Sequence, residues 1–155
     1  MKIHNIKFGQ LFSCQLCSSK NLSTIISLGI MPPCDSLLTE SQLNQPEISY
    51  PLNLIKCNDC NLIQIDYIVD PKILFHKSYP YRSGITKTLA DNLINGAHKF
   101  VEIFNIPSKS LIVDIGSNDG TFLKGFKEKN MKVIGVEPTD IAKIAIDDGI
   151  EKSLI

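Results

Sequence analysis

At 155 residues and 43% apolar side chains, the chain is long enough for one packed domain plus part of another, and too apolar for disorder. Sixteen basic residues balance sixteen acidic ones, which excludes a general nucleic-acid binder, because phosphate contacts demand a basic excess. No apolar run approaches the roughly 18 residues of a membrane span, and Met1-Lys2-Ile3-His4-Asn5 does not lead into the apolar stretch of a secretory signal. The expectation is a cytoplasmic protein with no membrane or nucleic-acid partner, a setting in which cysteines stay reduced and act as metal ligands more often than they form disulfides.

Residues 10–75 read as short strands and turns. Leu22 to Leu28 is strand-like and is closed by Gly29 and Pro32-Pro33; Thr39 to Pro46 is a polar loop with a helical turn; Leu62 to Val69 is a second strand, closed by Asp70-Pro71. Residues 76–107 form a linker and an amphipathic helix. From Thr86 onward Leu89, Leu93, Ala97, Phe100 and Phe104 recur at three- and four-residue steps, and Pro107 marks the end. In residues 108–155, Leu111 to Ile115 and Lys132 to Val136 are compact apolar runs of the kind found in buried parallel strands. Between them come a turn, Gly116 to Gly120, and a short helix carrying Phe122, Leu123 and Phe126; another helix starts near Ile141. The last residues, from Gly149 to Ile155, break the helical period without a clear strand, as a premature stop or a frameshifted tail would. The fold class is α/β: a small β-rich domain, then a helix, then a truncated Rossmann-like segment supplying two strands of a doubly wound sheet.

Four of the five cysteines fall in two C-x-x-C pairs, Cys14/Cys17 and Cys57/Cys60, about 40 residues apart. Two residues between paired cysteines let a tight turn aim both thiolates at one ion. Two such turns complete a tetrahedral four-sulfur shell, which suits Zn²⁺ and leaves no open position for catalysis, so the role is structural. A redox C-x-x-C needs only one pair, opening a helix after a strand, and neither pair has that setting. Cys34, after Pro32-Pro33, reads as a small, partly buried residue outside the cluster.

The run Asp114-Ile-Gly116-Ser-Asn118-Asp119-Gly120 follows a buried strand and opens a helix, and Glu137 ends the next strand about twenty residues later. Glycines there permit positive φ and close approach of a ligand to the backbone, and an acid at that place can accept both ribose hydroxyls of a nucleoside. Asn118 stands where a dinucleotide fingerprint has its second glycine, and Asp119 puts a negative charge where a pyrophosphate would sit. An acidic turn disfavours a phosphate and tolerates the sulfonium and amino groups of S-adenosylmethionine. The competing reading is a generic α/β turn with no ligand.

Taken together, Cys14-x-x-Cys17, Leu28-Gly29 with Pro32, Pro51-Leu52 leading to Cys57-x-x-Cys60, Leu62-Ile63-Gln64, Tyr79-x-Tyr81-x-Ser83-Gly84, the Asp114–Gly120 turn and Gly135-Val-Glu-Pro138 resemble one family. It is that of bacterial C-methyltransferases acting on nucleotide-linked deoxyketosugars. The resemblance implies an N-terminal zinc-binding domain, a central methyltransferase domain and a further C-terminal domain. It also implies methyl transfer from S-adenosylmethionine to a carbon beside a ketone, by way of an enolate. By the same resemblance Tyr79 and Tyr81 are the substrate-side residues, whereas read alone they are ordinary packing aromatics.

The family is more than twice as long as this chain, so the chain reads as its N-terminal part, a remnant or one half of a split enzyme completed by a complementary polypeptide, and inactive alone. No residue here is assigned the proton abstraction. The alternative is a stand-alone zinc-ribbon module with an α/β stub and no catalysis, a reading that leaves Glu137 and the glycine-rich turn without a purpose.

Overall fold

A computed structural model describes residues 8–150 and the backbone of Ser153 and Leu154, and these residues form two compact units that divide between Leu74 and Phe75. In the first, β1 (Gly9–Gln10) pairs antiparallel with β5 (Tyr67–Ile68), and β2 (Leu22–Met31), β3 (Tyr50–Cys57) and β4 (Ile63–Ile65) form an antiparallel sheet in that order. A single 3₁₀ turn, Glu40–Gln42, interrupts the loop between β2 and β3, and a one-turn helix α1 (Pro71–Leu74) closes the unit.

The central strand, β3, is absent from the sequence reading. Pro51 lacks the N–H a ladder needs and argues against a central strand. It is tolerated because β2 is irregular opposite it: the register slips between Ser27 and Ile30, and Gly29 adopts φ +82°. Asp66 divides the predicted 62–69 strand, so that β4 and β5 enter different sheets.

Little apolar surface is enclosed in this unit. Among its described residues the buried apolar side chains are Ile55 and two of the cysteines, Cys14 and Cys57. Such a core is too small to offset the entropy of ordering the chain without a further constraint. Cys34 is exposed, which corrects the expectation that it is partly buried.

In the second unit, α2 (Lys87–Ile103) starts at Thr86, whose hydroxyl accepts the Leu89 N–H. Then β6 (Leu111–Ile115), α3 (Thr121–Glu128), β7 (Lys132–Val136), α4 (Ala142–Asp147) and β8 (Ser153–Leu154) build a parallel sheet of order β6-β7-β8. The expectation of two strands is corrected to three. The short β8 falls in the tail read as lacking a strand, of which residues 151, 152 and 155 lie outside the described residues. Ala97, Phe126 and Met131 form one buried cluster, and Leu123, Ala145 and Ile150 another; Ile112 and Val133 pack against both. On β6, Leu111, Val113 and Ile115 alternate on the opposite face, each more than half exposed.

α2 meets α3 along part of the face its periodicity suggests, with Ile94 added to it. Ala97 is buried, Phe100 is nearly half exposed with its ring meeting Phe122 of α3 edge-on at 6.2 Å, and Phe104 is largely exposed. The helices touch where Gly125 of α3 lies against Ile94 and Ala97: a Cβ on Gly125 would lie 2.7 Å from both Ala97 Cβ and the Ile94 carbonyl oxygen. Alanine at 125 gains about 1 kcal/mol of helix propensity. Forcing two backbones apart costs about 1–3 kcal/mol, so Gly125→Ala should lower the urea midpoint. Gly96 is the contrast, because its Cβ would meet only Phe122 Cε2 at an ordinary 3.9 Å. Gly96→Ala should raise the midpoint, and equal shifts in both variants would contradict this contact.

Candidate functional site

The two cysteine turns of the first unit are built alike. The Cys14 N–H donates to Ser19 O and the Ser18 N–H to Cys14 O; likewise Cys57 N–H donates to Leu62 O and Asn61 N–H to Cys57 O. Ser18 and Asn61, each just after the second cysteine of its pair, both take φ +63°. These repeated turns bring Cys14, Cys17, Cys57 and Cys60 together, with all four sulfurs within 4.8 Å of one another. Across the pairs, Cys14 Sγ is 3.5 Å from Cys60 Sγ and Cys17 Sγ is 3.6 Å from Cys57 Sγ. A tetrahedral zinc with Zn–S bonds near 2.3 Å needs sulfurs about 3.8 Å apart, and both of these cross-pair distances fall close to that, so the donor set fits the ion.

Side chains of the first unit hold the turns in place. Gln64, buried on β4, accepts the Gln15 N–H at 2.9 Å and donates to Ser13 O at 3.4 Å, gripping the first turn from the sheet. Asp59 accepts from Ser19 Oγ at 2.6 Å and Asn21 Nδ2 at 2.8 Å, tying the second turn to the segment after the first. The Cys17 amide, with help from Leu16 N–H and the neighbouring sulfurs, draws the Cys14 thiol down to about 6. Cys60, although the Leu62 amide favours its thiolate, is pushed up to about 12 by burial and by the other three sulfurs. Four thiols this close cannot all ionise unless a cation sits among them.

In the second unit the glycine-rich turn joins β6 to α3. Gly116 has φ +81° with open space where a side chain would be, whereas a Cβ on Gly120 would strike Ile150 Cγ1 at 2.8 Å and Ala145 at 3.1 Å. The first glycine therefore leaves room beside the backbone, and the second serves the packing of α3 on α4. A cavity of about 300 Å³ opens at the C-terminal ends of β6 and β7, lined by Phe75, Tyr79, Tyr81, Ser83, Gly116, Asn118, Glu137 and Pro138. Tyr79 has Phe75 at 5.5 Å and Tyr81 at 6.5 Å between ring centroids, so one wall is aromatic.

Gly116, Asn118, Glu137, Tyr79 and Tyr81 are thus brought to one cavity, while Asp114, Asp119 and Gly120 do not line it. Burial raises the pKa of the Asp114 carboxyl in β6. Glu137 is only 5% exposed: Oε1 accepts from the Thr139 N–H and hydroxyl at 2.9 and 2.7 Å, and Oε2 from the Asn118 N–H at 3.0 Å. One acceptor position on Oε2 remains for a ligand.

Asp119, 2% exposed, turns to the chain segment before α2. It accepts the Gly84 N–H at 2.8 Å and the Thr121 hydroxyl at 2.7 Å, with Arg82 Nε at 3.8 Å. Burial opposes its ionisation, but the Thr121 hydroxyl, the Gly84 and Thr121 amides and Arg82 outweigh that and hold its pKa below the ordinary carboxylate range. A pKa lower in the folded state contributes stability that is complete above about pH 4 and is lost as pH falls through the folded value. Asp119→Asn should therefore flatten the acid limb of the stability–pH curve, and parallel curves for the two proteins would contradict it. Sequence reasoning missed Arg82, Ser83, Gly84 and Thr139 in this region; the one signal was that Ser83-Gly84 closes the tyrosine motif.

A closed four-sulfur cluster suited to zinc, carried on a small β unit of a mixed α/β chain, defines a zinc-binding module attached to a second unit with its own cavity. Residues 14–75 match the Methyltransf_13 zinc-binding domain. The chain is also similar to the C-methyltransferase NovU of Streptomyces niveus, 27% identical over 139 residues that cover 89% of this chain and 33% of NovU. The chain spans about a third of the length of that relative. No helix among the described residues is long and apolar enough to cross a membrane.

Proposed function

We propose that this chain supplies the zinc-stabilised and cofactor-binding parts of an S-adenosylmethionine-dependent C-methyltransferase whose acceptor is a carbon beside the ketone of a nucleotide-linked deoxyketosugar. The observation that carries the reading is the cavity where the tyrosine segment, the open Gly116 and the Glu137 carboxylate meet at the C-terminal edge of a parallel sheet. Ligands of open α/β sheets bind at that edge, and the β6-α3-β7-α4-β8 order supports a Rossmann-like assignment for the second unit.

The lining contains one carboxylate and no lysine or arginine, which suits a neutral or cationic nucleoside and not a pyrophosphate. S-adenosylmethionine, when bound, supplies the electrophilic methyl group. Glu137 Oε2 would take a ribose hydroxyl, the open face of Gly116 would admit the nucleoside against the backbone, and Tyr79 and Tyr81 would bound the acceptor side and exclude water. Zinc, held by Cys14, Cys17, Cys57 and Cys60, has a structural role, because four thiolates leave no coordination position for a substrate.

These residues alone bind and do not catalyse in this reading. The uncovered row Leu111, Val113 and Ile115 on the edge strand β6 supports a sheet that needs further polypeptide on that face. A stand-alone zinc module would give no use to the cavity or to Glu137. The test is a calorimetric titration of the zinc-loaded chain with S-adenosylhomocysteine and, separately, with NADH. Saturable one-to-one binding of the first and none of the second is expected; tighter binding of the dinucleotide, or no binding of either, would sink the reading.

A further inference from the structure

Asn118 and Asp119 sit in the glycine-rich turn where a ligand contact would be expected, yet their side chains are committed elsewhere. Asn118 Oδ1 accepts the Ser83 N–H at 2.8 Å and its Nδ2 donates to Tyr81 O at 3.1 Å. Asp119 Oδ2 accepts the Gly84 N–H at 2.8 Å. At the other end of the same segment, Lys77 O accepts the Asp140 N–H at 3.0 Å. Residues 75–86 contain no helix or strand, so these bonds, together with the ring contacts of Tyr79, tie the segment beside the cavity.

We infer that Asn118 and Asp119 are positioning residues, a latch that fastens the tyrosine segment 77–84 over the cavity, and that they govern ligand affinity through Tyr81 without touching the ligand. The affinity part rests on the proposed nucleoside site; the latch itself does not. Asn118 joins both sides of the cavity, since its backbone N–H donates to Glu137 while its side-chain amide grips the segment. Each end of that amide directs one bond at the segment, so two of its four hydrogen-bonding positions are committed there. Gly84 is the matching part on the segment: a Cβ there would lie 2.6 Å from Thr121 Oγ1 and 2.9 Å from Asp119 Oδ2, so only glycine lets its amide reach the carboxylate. The buried Arg82 Nε has no hydrogen-bond partner and lies 3.8 Å from Asp119 Oδ2; closure by roughly an ångström would complete that bond.

Arg82 is the single arginine of the sequence, so an arginine-specific protease reports on this segment alone. On the zinc-loaded chain, Asn118→Ala and Gly84→Ala should each speed cleavage after Arg82 at least tenfold, while tryptic cleavage at Lys127 and Lys132 stays at the wild-type rate. The two variants attack the latch from opposite sides, and the lysine sites reveal global unfolding. Cleavage after Arg82 within twofold of wild type in both, or a rise matched at the lysines, would overturn the latch. For affinity, S-adenosylhomocysteine is titrated into Asn118→Ala, Tyr81→Ala and the double variant. If Asn118 acts through Tyr81, the double variant binds no more weakly than Tyr81→Ala; losses that add would mean that Asn118 touches the ligand and would overturn the positioning role. Failure of the wild-type chain to bind would remove the cofactor reading alone and leave the latch to be decided by cleavage.

Discussion

Replacing Cys57 with Ser should leave the purified chain without stoichiometric zinc and the β2-β3-β4 sheet unfolded. Cys57 is fully buried, ends the central strand β3 and contributes one of the four sulfurs, so the substitution removes a ligand and loosens the turn that aims Cys60. The effect is large because the described residues of this unit bury so little else: with Ile55 the one buried apolar side chain besides the cysteines, the metal takes the place of a core. Chelation of the wild-type protein should reproduce the result, with loss of the strand signal in far-ultraviolet circular dichroism. Cys34→Ser is the control, since Cys34 is exposed and outside the cluster, and it should retain full zinc content. Unchanged zinc by mass spectrometry in Cys57→Ser would sink the four-sulfur centre.

The same cysteines show which information is local in the chain. A two-residue spacing sets a turn whatever lies around it, so both cysteine turns were legible. The runs Leu111–Ile115 and Lys132–Val136 matched β6 and β7 to the residue, because apolar runs between turn signals leave few alternatives. Where local chemistry points one way and tertiary pairing another, the reading failed. Pro51 hides β3, and the irregularity of β2 that accommodates it is visible only once the strands are paired. Phe104 follows the helical period but is largely exposed at the end of α2, away from the close approach that Gly125 permits. Asn118 and Asp119 were legible as residues of a glycine-rich turn between strand and helix, but not as partners of Ser83 and Gly84, which are 35 residues away and contribute only backbone amides. A backbone donor does not depend on the side chain that carries it, and the glycine that the contact requires at 84 does not by itself name its partner.

Glu137 combines both kinds of information, and its replacement should have two separable effects. Alanine there strips three donors of their acceptor: the Asn118 N–H, the Thr139 N–H and the Thr139 hydroxyl. With the carboxylate almost wholly buried, the loss should be about 2–4 kcal/mol of unfolding free energy, read from urea titration, because buried donors left unpaired cost about 1–3 kcal/mol each and the hydroxyl can turn elsewhere. Binding of S-adenosylhomocysteine should weaken by a further ~1–3 kcal/mol if the remaining Oε2 position accepts a ribose hydroxyl. Glu137→Gln separates the two effects. One amide oxygen can still take the Thr139 donors, but the NH₂ group then faces the Asn118 N–H and presents a donor where the ligand needs an acceptor. Gln should therefore recover part of the stability and little of the affinity. Recovery of affinity together with stability would mean that Glu137 acts only as an internal brace for the turn, and the ribose contact would have to be assigned elsewhere along the cavity wall.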